Sequence, residues 1–129
     1  MSATEQVAGS LVDITDGDLD GWTPICAFAR LTPDRGVAAL VKGRAVAVFL
    51  LSDGSLHAID NIDPISGASI LSRGLIGDVD GMPTVASPMF KQRFDLASGR
   101  CIDAPDVAVA VHEVGLLDDV IHVRLQGSP

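Results

Sequence analysis

Imidazole is the usual ligand and proton carrier at neutral pH, so the histidines are the first place to look for chemistry. There are three, His57, His112 and His122, each inside an apolar run. No pair has the i, i+4 spacing that sets two imidazoles on one helical face around zinc. His112 and His122 could face each other across a terminal hairpin, where a cross-strand surface pair is a simpler expectation than a two-point metal site. Cys26 and Cys101 form no Cys-x-x-C, which removes a zinc ribbon and a dithiol redox motif. Both read as plain buried or half-buried thiols. Asp16-Gly17-Asp18-Leu19-Asp20-Gly21 has the alternating oxygens and bend of half an EF-hand loop, but the place of its closing Glu is taken by Ala27. There is no Gly-x-Ser-x-Gly elbow, no Gly-x-Gly-x-x-Gly and no Walker loop. Two segments remain, Ala58–Ser69 and Ala86–Arg100. Each runs from a strand end through a proline-containing loop into a glycine turn.

Short strands must position those loops. Val37–Val41 and Arg44–Leu51 flank Lys42-Gly43, and Asp53-Gly54 leads into Leu56–Asp60. Asp80-Gly81 separates Leu75–Val79 from Thr84–Ala86, and Leu117-Asp118-Asp119 separates Val107–Val114 from Val120–Leu125. Apolar runs this short, rich in β-branched residues and cut by such turns, predict an all-β fold. Val46, Val48 and Leu50 alternate with Ala45, Ala47 and Phe49, so both faces of that strand are apolar and it belongs in the middle of a sheet. The last hairpin strand, with His122 and Arg124 on one side and Ile121, Val123 and Leu125 on the other, reads as wet on one face. Residues 1–20 carry several aspartates and no base, which predicts an acidic flexible tail ahead of a domain over 21–129.

Composition narrows the partners. The 129 residues hold 17 acids and 9 bases, a formal charge of −8, which repels nucleic acid and anionic membranes. The mean hydropathy is +0.36, yet the longest apolar stretch, Ala45–Leu51, is far short of the roughly 20 residues that cross a bilayer. No cationic leader precedes an apolar segment at the N-terminus, so a cytoplasmic location is expected. With 4% aromatics and no tyrosine, a groove for stacking bases or sugars is not expected.

The two loops resemble those of a Rieske-type domain. In that family the first loop reads roughly Asp-Asn-x-Cys-Pro-His-x-Gly-Ala and the second Cys-Pro-x-His-Gly-x-x-Phe-Asp-Leu-x-x-Gly. The frame is kept in Asn61, Pro64, Gly67, Ala68, Pro88, Phe94, Asp95, Leu96 and Gly99. The four ligand positions hold Asp63, Ile65, Ser87 and Phe90 instead. Iron–sulfur ligation needs thiolate or imidazole, and none of these residues supplies either. The resemblance implies an antiparallel β-sandwich with a smaller subdomain carrying two degenerate cluster loops, at about 60–72 and 86–99. It also implies that Ile65 and Phe90 pack inward where the metal would sit.

A narrower resemblance covers about Trp22 to Leu125. Asp60-Asn61-Ile62-Asp63-Pro64, Leu71-Ser72-Arg73-Gly74 and Ser87-Pro88-Met89-Phe90-Lys91-Gln92-Arg93-Phe94-Asp95-Leu96 are similar to the small subunit of assimilatory NAD(P)H-dependent nitrite reductase. That resemblance implies no catalytic residue, cofactor or metal in this chain. It implies a large-subunit partner carrying FAD, sirohaem and [4Fe–4S], which reduces nitrite to ammonium. Met89, Lys91, Gln92 and Arg93 are the expected contact with that partner. The alternative is a cluster-free Rieske-like binding module serving another oxidoreductase.

Overall fold

The computed structural model describes residues 11–13 and 21–126. Its strands are β1 (Leu11–Asp13), β2 (Trp22–Ala27), β3 (Arg35–Val41), β4 (Arg44–Leu50), β5 (Leu56–Asp60), β6 (Leu75–Val79), β7 (Met82–Ala86), β8 (Arg93–Asp95), β9 (Val111–Leu117) and β10 (Val120–Arg124). The larger sheet has the order β2-β10-β9-β5-β4-β3, and β1 lies beside β9; β6-β7-β8 form the smaller sheet. This is the all-β, two-part arrangement expected from the loops, with antiparallel ladders throughout except for β1 on β9.

Turn chemistry sets the registers. Lys42-Gly43, Asp80-Gly81 and Asp118-Asp119 each place two successive residues at positive φ, between 52° and 84°, as tight hairpins require. These pin Val41 opposite Arg44, Val79 opposite Met82 and Leu117 opposite Val120.

β4 is central, as its two apolar faces predict, and lies between β3 and β5. Val46, Val48 and Leu50 join Leu56, Val114, Ile121 and Val123 in one core. Ala47 and Phe49 point the other way and join Leu71, Val85, Phe94 and Leu96 in a second core beneath the smaller sheet. Each fully buried large side chain contributes roughly 1.5–3 kcal/mol by leaving water. The second core is therefore the support on which the proline-containing loops stand.

Three expectations differ from what is observed. Leu11–Asp13 pair in parallel with Val114–Leu116. β5 accompanies β9 only at Val111–His112, so the rest of that edge of β9 is open to β1. The other residues of the acidic segment, including Asp16, Asp18 and Asp20, lie outside the described residues. His112 and His122 do not pair across the last hairpin, because the register sets His122 opposite Gly115. Finally, His122 is buried as well as Ile121 and Val123. β2 pairs beside β10, and on that face Val120 and Arg124 keep partial exposure, Arg124 stacked over Trp22 at 4.8 Å.

Candidate functional site

The first loop leaves the large sheet at the end of β5 and the second leaves the small sheet at the end of β7. The two close alike. Asp63 N–H donates to Ala68 O (2.8 Å) and Asp63 O accepts from Gly67 N–H (2.7 Å). Ser87 N–H donates to Gln92 O (2.8 Å) and Ser87 O accepts from Lys91 N–H (2.9 Å). Gly67 and Lys91 thus occupy equivalent corners, at φ of 79° and 65°. Glycine takes this conformation freely, whereas Lys91 holds it with a side chain that disfavours it.

Asp63 and Ser87 meet between the loops. Ser87 Oγ donates to Asp63 Oδ2 at 2.6 Å, and the two residues are 1% and 0% exposed respectively. Asp63 Oδ1 accepts from Ile65 N–H (2.8 Å) and Ser87 Oγ accepts from Met89 N–H (3.3 Å). One buried polar pair thereby fixes both loop tips. Burial raises the Asp63 pKa, but hydrogen bonds from Ser87 and from the backbone of Ile65 and Ser66 outweigh it and hold the carboxyl below its ordinary value.

Asn61 fixes the root of the first loop. Its Oδ1 accepts from Ser72 N–H (2.7 Å), its Nδ2 donates to Ser69 Oγ (2.8 Å), and its backbone carbonyl accepts from Ile70 and Leu71. Beside it, Asp60 accepts two bonds from the Arg44 guanidinium (2.9 and 3.0 Å) and one from His112 Nε2 (2.8 Å). Gln126 N–H donates to His112 Nδ1 (2.9 Å), which assigns the proton of the neutral ring to Nε2. Burial raises the Asp60 pKa, while Arg44 and His112 lower it by more.

Ile65 and Phe90 are not where an inward-packed arrangement would put them. They are 38% and 52% exposed. The reason is occupancy. Asp63 and Ser87 close the space between the loops, and fully buried Leu71, Val85, Phe94 and Leu96 fill the core beneath. No room is left for two more large side chains.

The expected contact residues also separate. Met89 is 54% exposed and Lys91 projects into solvent. Gln92 turns inward, with its Oε1 buried and without a partner. Arg93 is held by Asp103 through Nε (3.1 Å) and Nη2 (2.8 Å), and this pairing lowers the Asp103 pKa to about 2. Three features were not anticipated. Ile62 is 46% exposed; Lys42 reaches the same end through the β3–β4 turn; and a groove of about 600 Å³ runs past Lys42, Ile62, Pro64 and Val109. The signal for Lys42 was its place in a turn where Asn, Asp or Gly is the ordinary choice.

These residues do not fit an iron–sulfur cluster. Asp63 and Ser87 bind each other, and Ile65 and Phe90 have no donor atom. Cys26 lies on β2, with its pKa raised by burial against the Arg30 charge, and Cys101 is fully buried in the second core. Two such loops on two packed sheets define a Rieske-type domain without its ligand set.

Comparison with known proteins agrees with the geometry. Residues 21–124 match the family model described as Rieske-like [2Fe-2S] domain. The nitrite reductase (NADH) small subunit of Salmonella typhimurium is 40% identical over 104 residues, which cover 80% of this chain and 96% of that protein. A Mycobacterium tuberculosis crystal structure, described as a candidate NADH-dependent nitrite reductase small subunit, is 44% identical with a TM-score of 0.79, covering 83% of this chain and 96% of that one. An 88-residue stretch, 68% of this chain, is 41% identical to 9% of the nitrite reductase [NAD(P)H] large subunit of Klebsiella oxytoca. The chain belongs to the nitrite reductase small-subunit family within the Rieske-like domains.

Proposed function

We propose that this chain is the redox-silent small subunit of a cytoplasmic nitrite reductase. It binds a large subunit that carries FAD, sirohaem and [4Fe–4S], oxidises NAD(P)H and reduces nitrite to ammonium. The observation that carries the silent role is the buried Asp63–Ser87 hydrogen bond, which stands where two thiolates would hold one iron and braces the loops without metal. The Klebsiella oxytoca relative supports the partnership, because there one polypeptide, a nitrite reductase large subunit, includes a domain like this one.

Two measurements test the reading. Nitrite-dependent NAD(P)H oxidation by the large subunit should rise when this chain is added, and the two should co-purify. The chain itself should contain neither iron nor acid-labile sulfide after anaerobic reconstitution. No binding and no gain in activity overturns the subunit role, and a stoichiometric cluster overturns the silent one.

A further inference from the structure

We infer that the loop end is a built docking face for the large subunit, with Lys42 and Lys91 as its charged contacts around exposed Ile62, Ile65, Met89 and Phe90. This rests on the subunit role proposed above and states which surface performs it.

The lysines carry the argument. The chain has only two, and both stand at this end. Lys42 lines the groove with Ile62 and Pro64; Pro64 follows Asp63, which bonds Ser87; and the Ser87 carbonyl accepts the Lys91 N–H. Both lysines have positive φ, 52° and 65°. Six non-glycine residues among those described do so, and the other four are aspartates, which tolerate this conformation better. Lysine has no such advantage. Among the described residues neither ammonium has a carboxylate within ion-pair distance. The positive φ values follow from the tight β3–β4 turn and from the corner that closes the second loop. What sets the two lysines apart is that, among the described residues, each presents an unpaired ammonium at the end that also exposes Ile62, Ile65, Met89 and Phe90.

The surrounding charge agrees. Several carboxylates at these loops are already engaged: Asp60 with Arg44 and His112, Asp63 with Ser87, Asp103 with Arg93, while the Asp95 carboxylate accepts only from the Ala97 N–H. Acids also stand in the turns at the far ends of the same strands, at Asp80, Asp118 and Asp119. On a chain of charge −8, the loop end carries both lysines. The matching surface is an apolar depression rimmed by Asp or Glu on the large subunit, with a protruding segment that enters the groove beside Ile62. The Asp63–Ser87 brace presets the loop tips, so little ordering is left for binding to supply.

The scarcity of lysine makes the test direct. The purified complex and the free chain are treated with an amine-acylating reagent, and modification is read at Lys42 and Lys91 by mass spectrometry. Both should be at least 5-fold less reactive in the complex. In parallel, K42E/K91E should bind the large subunit at least 10-fold more weakly than wild type, and Phe90→Ser likewise, with circular dichroism showing an unchanged fold. Asp80→Lys and Asp118→Lys, at the opposite end, should bind within 2-fold of wild type. Equal binding by K42E/K91E, or full reactivity of both lysines in the complex, overturns the docking face while the subunit role stands. Failure of the wild-type chain to bind removes the role, and the docking face with it.

Discussion

Phe90 and Phe94 belong to the same loop-and-strand segment, yet one is 52% exposed and the other fully buried. The same contrast separates Ile65 and Phe90, turned outward, from Asp63 and Ser87, turned inward and bonded to each other. The polar residues occupy the interior and the apolar ones the surface, the reverse of what hydropathy alone dictates. The inversion is affordable because the inner pair satisfies itself and two loop N–H groups. The outer pair gains nothing for the isolated fold. On the docking face proposed above, stability and docking fall to different side chains of one short region, and substitutions can separate them.

The largest effect is expected where the fold alone is touched. Phe94→Ala should lower unfolding free energy by about 3–5 kcal/mol, whereas Phe90→Ala should stay within roughly 0.5 kcal/mol. Urea unfolding of the two variants checks the pair, and a Phe90→Ala loss comparable to that of Phe94→Ala would mean that Phe90 packs inside. Next comes the brace. Asp63→Ala strands the buried Ser87 hydroxyl and the Ile65 N–H, at a cost of about 2–4 kcal/mol. It should also weaken binding to the large subunit by loosening both tips. An Asp63→Ala variant as stable as wild type would show that the loops are held by something else.

The brace predicts a pH dependence with a definite sign. The folded-state pKa of Asp63, like that of Asp60, lies below its ordinary value of 3.8. Each contributes stability that is present above about pH 4 and is lost as pH falls through the lower, folded value. Asp63→Asn should flatten the acid limb of the stability curve. His57 acts at higher pH. Burial lowers its pKa more than the charges of Asp53 and Asp95 raise it, and its Nδ1 is buried without a partner. The unfolded chain therefore takes up that proton first, and stability begins to fall below about pH 6.5. An NMR titration of His57 with its midpoint at or above 6.5 would contradict this.

Much of the scaffold was legible because each signal was local. The hairpin turns and the double-faced β4 follow from adjacent residues, and the loop frame follows from Asn61, Pro64, Gly67, Pro88 and Phe94. The site was legible only in part. The family resemblance located Asp63 and Ser87 as former ligand positions but could not pair them, since they lie 24 residues apart and meet only when two sheets pack. The resemblance turned Ile65 and Phe90 the wrong way, because filling the former metal site with their side chains ignores that Asp63, Ser87 and the core beneath already occupy it. Spacing did not show that Arg93, still exposed, is held by Asp103 or that Gln92 turns its Oε1 inward. Lys42 was hidden for the opposite reason, since a lysine in a hairpin turn reads as ordinary solvent exposure.

A smaller effect tests the strain at the second loop directly. Lys91→Gly relieves a left-handed backbone at the corner where Gly67 sits in the first loop. Stability should rise by up to about 1 kcal/mol, net of the extra freedom glycine has in the unfolded chain. Binding to the large subunit should fall in the same variant. A loss of both would mean that the Lys91 side chain supports the fold after all.

The smallest effect is expected at β1, which lies on the part of β9 that β5 leaves open. Deleting residues 1–20 removes β1, whose three residues pair with Val114–Leu116. Each backbone hydrogen bond there contributes about 0.5–1.5 kcal/mol, while ordering each residue costs roughly 1–2 kcal/mol, so the two nearly cancel. The unfolding midpoint should therefore shift only slightly. The newly bared edge of β9 is the more sensitive reporter, because an unpaired strand edge invites another chain. The truncated protein should remain folded and bind the large subunit as before, since the loop end is untouched. At high concentration it should self-associate more than the full chain by analytical ultracentrifugation. A drop in the midpoint comparable to that of Asp63→Ala would show that β1 is an integral strand, and stability would then depend on the edge as much as on the braced loops.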